Sequence, residues 1–161
     1  SRTRLMSPEI VPVDVSERDD LWAMFQRYAA ELAPMAGVTP VDGVVPYPYF
    51  NEYWRDETRW PFWAVVGGAR IGFALVRFAS EHDAMQMAEF FILPEHRRGG
   101  SGLHFANGLL ARFPGPWKIR QILANRGATA FWRRVAKPYG YTEETFADHG
   151  IDRIEQTLTV R

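Results

Sequence analysis

The stretch Ile92-Leu93-Pro94-Glu95-His96-Arg97-Arg98-Gly99-Gly100-Ser101-Gly102 decides how the rest of this 161-residue chain is read. It follows an apolar run, Met85 to Phe91, that predicts a buried strand. A segment with helical spacing comes after it. A glycine-rich, arginine-bearing turn between strand and helix is a cradle for an anion. Glycines let backbone N–H groups approach the anion closely. The following helix aims its positive dipole end and its unpaired N–H groups at the same spot. The stretch therefore predicts a site for something phosphorylated.

Working outward, Ala84 to Leu93 is the last of three predicted strands. Pro61 to Val66, the turn Gly67-Gly68 and Arg70 to Phe78 precede it, with Glu81-His82-Asp83 as the second turn. Nearer the start, Glu9 to Asp14 predicts a strand. Ser16 with Asp19 predicts a capping box that opens a helix. Leu21, Phe25, Tyr28 and Leu32 are expected to share its apolar face. Gly37 to Pro48 reads as a loop and Tyr49 to Thr58 as a short helix. Beyond the glycine turn, Leu103, Ala106, Leu110 and Phe113 fall on one helical face until Pro114-Gly115-Pro116 stops it. Trp117 to Ala124 predicts a strand and Ala128 to Ala136 a helix. Lys137-Pro138 ends that helix, because a residue before proline avoids the α region. Tyr141 to Ala147 and Arg153 to Val160 form an expected closing hairpin. The order is β-α-α-β-β-β-α-β-α-β-β, an α/β class with a mixed sheet and helices on its faces.

Residues 1–161 are expected to form one domain. Ser1 to Leu5 precede Met6, and residues 1–6 are expected to be disordered or foreign to the domain. The absence of cysteine excludes disulfides, cysteine-based zinc sites and a thiol nucleophile. No apolar run reaches membrane-spanning length and no signal peptide is visible, so the expected location is cytoplasmic. The formal net charge of zero hides an asymmetry. From His96 to Thr142 there is no Asp or Glu, yet the window holds Arg97, Arg98, Arg112, Lys118, Arg120, Arg126, Arg133, Arg134 and Lys137. This imbalance suggests one phosphate-rich partner and another that is cationic.

These residues carry a resemblance. The chain resembles the GNAT superfamily of acetyl-coenzyme A-dependent N-acetyltransferases in element order over nearly its whole length. The family signature is an apolar residue, a spacer, proline, then Arg/Gln-x-x-Gly-x-Gly/Ala. Here it reads Ile92, Leu93, Pro94, then Arg97 through Gly100 to Gly102. A second family pattern, Asn-x-x-Ala followed by an aromatic pair, is matched by Asn125, Ala128, Phe131 and Trp132. The resemblance implies a GNAT-like, mainly antiparallel sheet with helices on both faces. It implies acetyl-coenzyme A as co-substrate and no metal. The pyrophosphate would lie over Arg97, Arg98, Gly99, Gly100, Ser101, Gly102 and Leu103. The pantetheine arm would run along Phe91 and Ile92, with Asn125 on an amide and Phe131 and Trp132 as walls. A P-loop is excluded because no Gly-Lys-Ser/Thr follows the glycines, and a Rossmann turn is excluded by the spacing.

Acetyl transfer needs a neutral amine. A lysine-like amine titrates near pH 10.4, so removing its proton at pH 7 costs roughly 4–5 kcal/mol. A base is therefore needed, and an acid for the leaving thiolate. A backbone N–H near Ile92 would serve the thioester oxygen. Glu89, the one carboxylate within the apolar strand, is the candidate base. Many relatives place a tyrosine acid where this chain has Trp132. An indole N–H does not do that work, so Tyr139 and Tyr141 are the candidate acids, alongside departure without one. His96 and His104 read as ordinary surface residues.

For the acceptor, the aromatic segment Tyr47 to Glu57 is the candidate wall, with Tyr49, Tyr53, Trp54 and Glu52 foremost. Aromatic faces beside Glu52, Asp56 or Glu57 suit a cationic amine, and an enclosed pocket suits a small one. No nucleic acid and no membrane is expected as partner, and a homodimer remains open. Two other readings stand beside the enzyme: a non-catalytic acyl-coenzyme A sensor of the same fold, and a nucleic-acid-binding module using the basic window.

Overall fold

The structure, a computed structural model, describes residues 7–161, so the expectation for residues 1–6 lies outside the described residues. Seven strands form one sheet in the order β1-β2-β3-β4-β5-β7-β6. They are β1 (Glu9–Pro12), β2 (Arg59–Val66), β3 (Ala69–Ala79), β4 (Ala84–Ile92), β5 (Gly115–Ile122), β6 (Thr142–Asp148) and β7 (Ile151–Val160). Every neighbouring pair is antiparallel except β4 with β5. Three α-helices cover it: α1 (Arg18–Ala36), α2 (Ser101–Arg112) and α3 (Arg126–Ala136).

Each face of the sheet has its own core. Phe105, Leu109 and Leu110 of α2 and Trp132 and Val135 of α3 pack on Ile71, Met85, Met87, Ile92, Trp117, Ile119 and Leu158. On the other face, Leu21, Phe25, Ala29 and Ala33 of α1 pack on Trp63, Phe73, Leu75 and Phe91. α1 thus covers the β2–β4 half of its face. The polar side chains of Lys118, Arg120, Glu155 and Thr157 meet one another on the β5–β7 half.

Several sequence expectations are corrected. The capping box lies two residues earlier than Ser16. The Asp14 carboxylate accepts from the Ser16 N–H at 2.9 Å, and Glu17 accepts from the Asp14 N–H at 3.0 Å. This box opens a 3-10 turn, Val15–Glu17, that leads into α1. The buried stripe of α1 is Leu21, Phe25, Ala29 and Ala33, so Tyr28 and Leu32 fall on its flank. The short helix expected over Tyr49 to Thr58 is a single 3-10 turn, Phe50–Trp54. β5 starts at Gly115, two residues before Trp117; Gly115, three residues beyond the end of α2, adopts φ +116° as the chain turns into the strand.

One close approach fixes the register of β3 against β4. Gly72 pairs with Ile92. A Cβ on Gly72 would stand 2.1 Å from the Phe91 carbonyl oxygen and 2.9 Å from Ile92 Cδ1. Backbone gives way poorly, so Gly72→Ala is expected to destabilise the fold by about 1–3 kcal/mol, the usual cost of overpacking. Thermal melting should show a midpoint several degrees lower.

Candidate functional site

β4 carries one residue more than its partner needs. Leu75 pairs with Glu89 and Val76 with Met87, leaving Ala88 bulged. Side chains alternate along a regular strand, and a bulge resets the alternation. Met85 and Met87 face α2 and α3, and so do Phe90 and Ile92. Ala88 and Phe91 face α1. Without the bulge, Glu89 would point into the α2–α3 core. With it, Glu89 points toward α1 and meets Tyr28.

The Tyr28 hydroxyl donates to Glu89 Oε1 at 2.5 Å. Burial penalises the charged form and pushes the Glu89 carboxyl up to about 7. Hydrogen bonding by Tyr28 and Tyr47 and the charge of Arg153 hold back a larger rise. Tyr28, Tyr47 and Tyr53 are all pushed above the ordinary tyrosine range, foremost by burial and further by the Glu89 charge. They stay protonated, as donors. A carboxylate that takes up a proton near neutral pH, with its geometry fixed by a phenol, is equipped as a base.

β4 and β5 part immediately beyond their start. Their parallel ladder consists of Met85 with Trp117 and Gln86 with Lys118. From Met87 onward the β4 edge facing β5 is unpaired, and α3 begins in the gap. Asn125 caps α3: its Oδ1 accepts from the Ala128 N–H at 3.3 Å and its carbonyl from the Thr129 N–H at 3.1 Å. Two cavities open on either side of this parting. One, about 550 Å³, lies over the start of α2 and is lined by Ile92, Arg97, Arg98, Gly100, Gly102 and Leu103 among others. The second, about 570 Å³, contains Glu89. Tyr28, Leu32, Phe90, Asn125, Ala128 and Trp132 border both.

The start of α2 has the features of an anion cradle. Its N-cap, Gly100, has φ +87° and caps nothing with a side chain, and the first turn holds no acid. The Ser101, Gly102 and Leu103 N–H groups precede the first helical bond, which runs from His104 to Gly100. A Cβ on Gly102 would lie 3.3 Å from Phe131 Cε1 and 3.6 Å from Ile92 Cγ1, so glycine keeps this floor open. Arg98 takes the left-handed conformation, φ +69°, which is strained for a residue with a Cβ.

The sequence-predicted residues divide clearly. Phe91, Ile92, Arg97, Arg98, Gly100, Gly102, Leu103, Asn125, Phe131 and Trp132 line the α2-side cavity. Gly99 and Ser101 belong to the same turn but do not line it. The Ile92 carbonyl, one of the strand groups expected to be open, accepts from Arg97 Nε at 2.7 Å. Tyr139 and Tyr141 pack against the α2–α3 core and line neither cavity. Of the acceptor candidates, Tyr49 lines the Glu89 cavity. Tyr53 is buried behind it, its hydroxyl accepting from Arg59 at 3.4 Å. Trp54 is structural, its indole N–H donating to the Val13 carbonyl at 2.9 Å. Glu52 pairs with Arg55 at 3.6 Å and Asp56 with Arg59 at 3.7 Å, and neither lines the cavity. Tyr47, the first residue of the expected aromatic wall, lines the Glu89 cavity, whereas sequence reasoning missed Tyr28 and Arg134 in the walls and Arg59, Arg77, Arg120 and Arg153 around Glu89. Tyr28 was visible only as a helix-face residue.

Among the described residues no helix is long and apolar enough to cross a membrane, and no three or more His, Cys, Asp or Glu side chains come together as metal ligands would.

No protein-family model and no curated protein matches the chain. Solved structures do. An acetyltransferase from Thermus thermophilus is 14% identical, covers 98% of this chain and 100% of its own, and superposes with a TM-score of 0.74. Spermidine N-acetyltransferase from Vibrio cholerae, solved with CoA and spermine, is 14% identical over 96% of both chains with a TM-score of 0.68. A Bacillus subtilis acetyltransferase in complex with CoA is 10% identical over 96% of this chain and 100% of its own, TM-score 0.64. The fold is that of the GNAT acetyltransferases.

The raised Glu89 carboxyl predicts a stability profile. Its folded-state value of about 7 exceeds the ordinary 4.5. The folded chain then binds more protons than the unfolded chain between these values, so Glu89 costs stability increasingly as pH rises through that window. Glu89→Gln removes the charge and can still accept from Tyr28. Thermal melts from pH 4 to pH 8 should show the variant gaining on the parent as pH increases, with the gap levelling above pH 7.

Proposed function

We propose that this chain is an N-acetyltransferase that moves the acetyl group of acetyl-coenzyme A to the primary amine of a small molecule. The observation that carries this reading is the shared wall. A glycine-floored, helix-headed cavity and a cavity holding a near-neutral carboxylate meet where β4 and β5 part. The likeness to acetyltransferases solved with coenzyme A supports it.

The α2-side cavity fits the co-substrate chemically. The Ser101, Gly102 and Leu103 N–H groups and the helix dipole suit a pyrophosphate. Arg98 and Arg134 add charge from two elements. Arg97 is bound back to Ile92 and lies 3.3 Å from Glu31. It acts chiefly to shape the turn. The unpaired β4 edge suits an amide-bearing arm, and the Asn125 side chain keeps its NH₂ donors beyond the cap it makes. Acetyl-coenzyme A supplies an activated acyl carbon.

This chain's residues then handle protons and position. Glu89 takes a proton from the acceptor ammonium. The freed nitrogen forms a bond to the acyl carbon as the carbon–sulfur bond breaks. The proton the nitrogen sheds ends on the sulfur, so charges balance. Tyr28 holds Glu89 in place throughout, and Trp132 walls the meeting point. Tyr139 and Tyr141 have no step in this scheme, because neither borders the cavities.

Titration calorimetry with coenzyme A and a thiol-release assay over an amine panel test the reading. Gly102→Val is expected to weaken coenzyme A binding at least tenfold, roughly 1.4 kcal/mol, with a melting curve checking that the variant, whose side chain presses on Phe131 and Ile92, still folds. Glu89→Gln is expected to keep coenzyme A affinity and lower kcat by 10²–10⁴, roughly the span of general-base effects. Turnover in the parent should rise through pH 7, following Glu89. Tyr28→Phe removes a hydrogen bond to the carboxylate, so that rise should move to higher pH. Parental protein that binds no coenzyme A would remove the proposal.

A further inference from the structure

The Glu89 cavity is lined by four arginines, Arg59, Arg77, Arg120 and Arg153, against three carboxylates, Glu81, Glu89 and Asp148. Three of the arginines are engaged within the protein. Arg77 donates to Gln86 and Glu81, each at 2.6 Å. Arg120 donates to Glu155 at 2.5 Å and approaches His82 at 3.3 Å. Arg59 holds Tyr53 and stands 3.7 Å from Asp56.

Arg153 differs. Its Nε is buried and makes no hydrogen bond among the described residues. Asp148 Oδ2 lies 3.3 Å from that nitrogen, but the bond is misaligned. Arg153 sits near the start of β7, paired with Ile122 of β5 and Phe146 of β6. That position is rigid and faces the cavity that contains Glu89. A guanidinium presents five donors in a fixed fork that matches an oxyanion. Apart from the ion pair with Asp148 on its Nε side, the guanidinium makes no hydrogen bond among the described residues, so its two terminal nitrogens are the ones left to meet a ligand in this cavity. A polycationic acceptor would meet these arginines unfavourably.

We infer that the acceptor amine also carries an oxyanion, a carboxylate or a phosphate, which Arg153 binds while Glu89 takes the ammonium proton. This rests on the acetyltransferase reading and narrows it. Charge fits at both ends of such an acceptor: its anion meets Arg153 and its ammonium meets Glu89.

The test offers matched acceptors to the acetyl-coenzyme A-loaded protein. Amino acids are set against their carboxamides, phosphoethanolamine against ethanolamine, and spermidine stands alone. The expected result is a kcat/KM preference of about tenfold or more for the anionic member of at least one pair. The two kinds of pair tell carboxylate from phosphate. Arg153→Gln should erase that preference through KM, and Arg153→Lys should restore part of it, as a point charge lacking the fork. Melting curves confirm that each variant folds. If no panel member is acetylated, stabilisation of the coenzyme A-loaded protein by anionic members alone, lost in Arg153→Gln, supports the inference. Absence of that stabilisation overturns it. Preference for spermidine or for every neutral member, or a preference that survives Arg153→Gln, overturns it and leaves the acetyltransferase reading standing. Failure to bind coenzyme A removes both.

Discussion

One extra residue in β4 governs the chemistry of this molecule. Ala88 has no partner on β3, and the alternation of side chains restarts after it. The restart turns Glu89 away from an apolar core, where a carboxylate would be ruinous, toward a helix that offers it a phenol. It also keeps Phe90 and Ile92 facing α2 and α3, so the strand still packs on both sides. Bulges bend strands and raise local twist. The parting of β4 from β5 begins at the same level of the strand, just beyond Gln86. The buried Glu89 carboxylate and the open strand edge therefore lie at one level of β4.

The sequence made the local features plain and left the distant ones hidden. The turn from Arg97 to Gly102 and the Asn125 cap are both short-range devices, readable from spacing alone. The meander of β2, β3 and β4 was legible for the same reason. The bulge was not, because Met85 to Ile92 has no glycine, proline or polar residue at Ala88 to mark it. The face of α1 was misjudged because Ala29 and Ala33 are weak apolar signals beside Tyr28 and Leu32. The partnership of Tyr28 with Glu89 spans 61 residues and depends on tertiary packing. Trp54 illustrates the opposite error: an aromatic that looked free to meet a ligand is tied to the Val13 carbonyl.

The acid-free window is likewise less uniform in space than in sequence. Arg97, Arg98 and Arg134 border the cavity over α2. Arg133 pairs with Glu143 at 2.7 Å, Lys118 with Glu155 at 3.4 Å, and Arg112 donates to the Ile10 carbonyl at 3.1 Å. These cations meet acids and carbonyls supplied by distant parts of the chain, so sequence asymmetry does not become a single charged face. A broad nucleic-acid surface would need the opposite arrangement, with basic groups left unpaired along one side.

The two-pair ladder between β4 and β5 has a mechanical meaning. On one side stands a plate of β1 to β4 with α1, and on the other a plate of β5, β7 and β6 that is paired along its full length. At backbone level, little but that short seam rivets the plates together, and packing by α2 and α3 does the rest. Whatever lies along the open β4 edge and touches Asn125 becomes a further rivet. Occupancy and mechanical integrity are then one equilibrium seen from two sides. Amide hydrogens beside the seam should be among the most responsive reporters of a filled gap, exchanging freely in the empty protein and slowly in the clamped one.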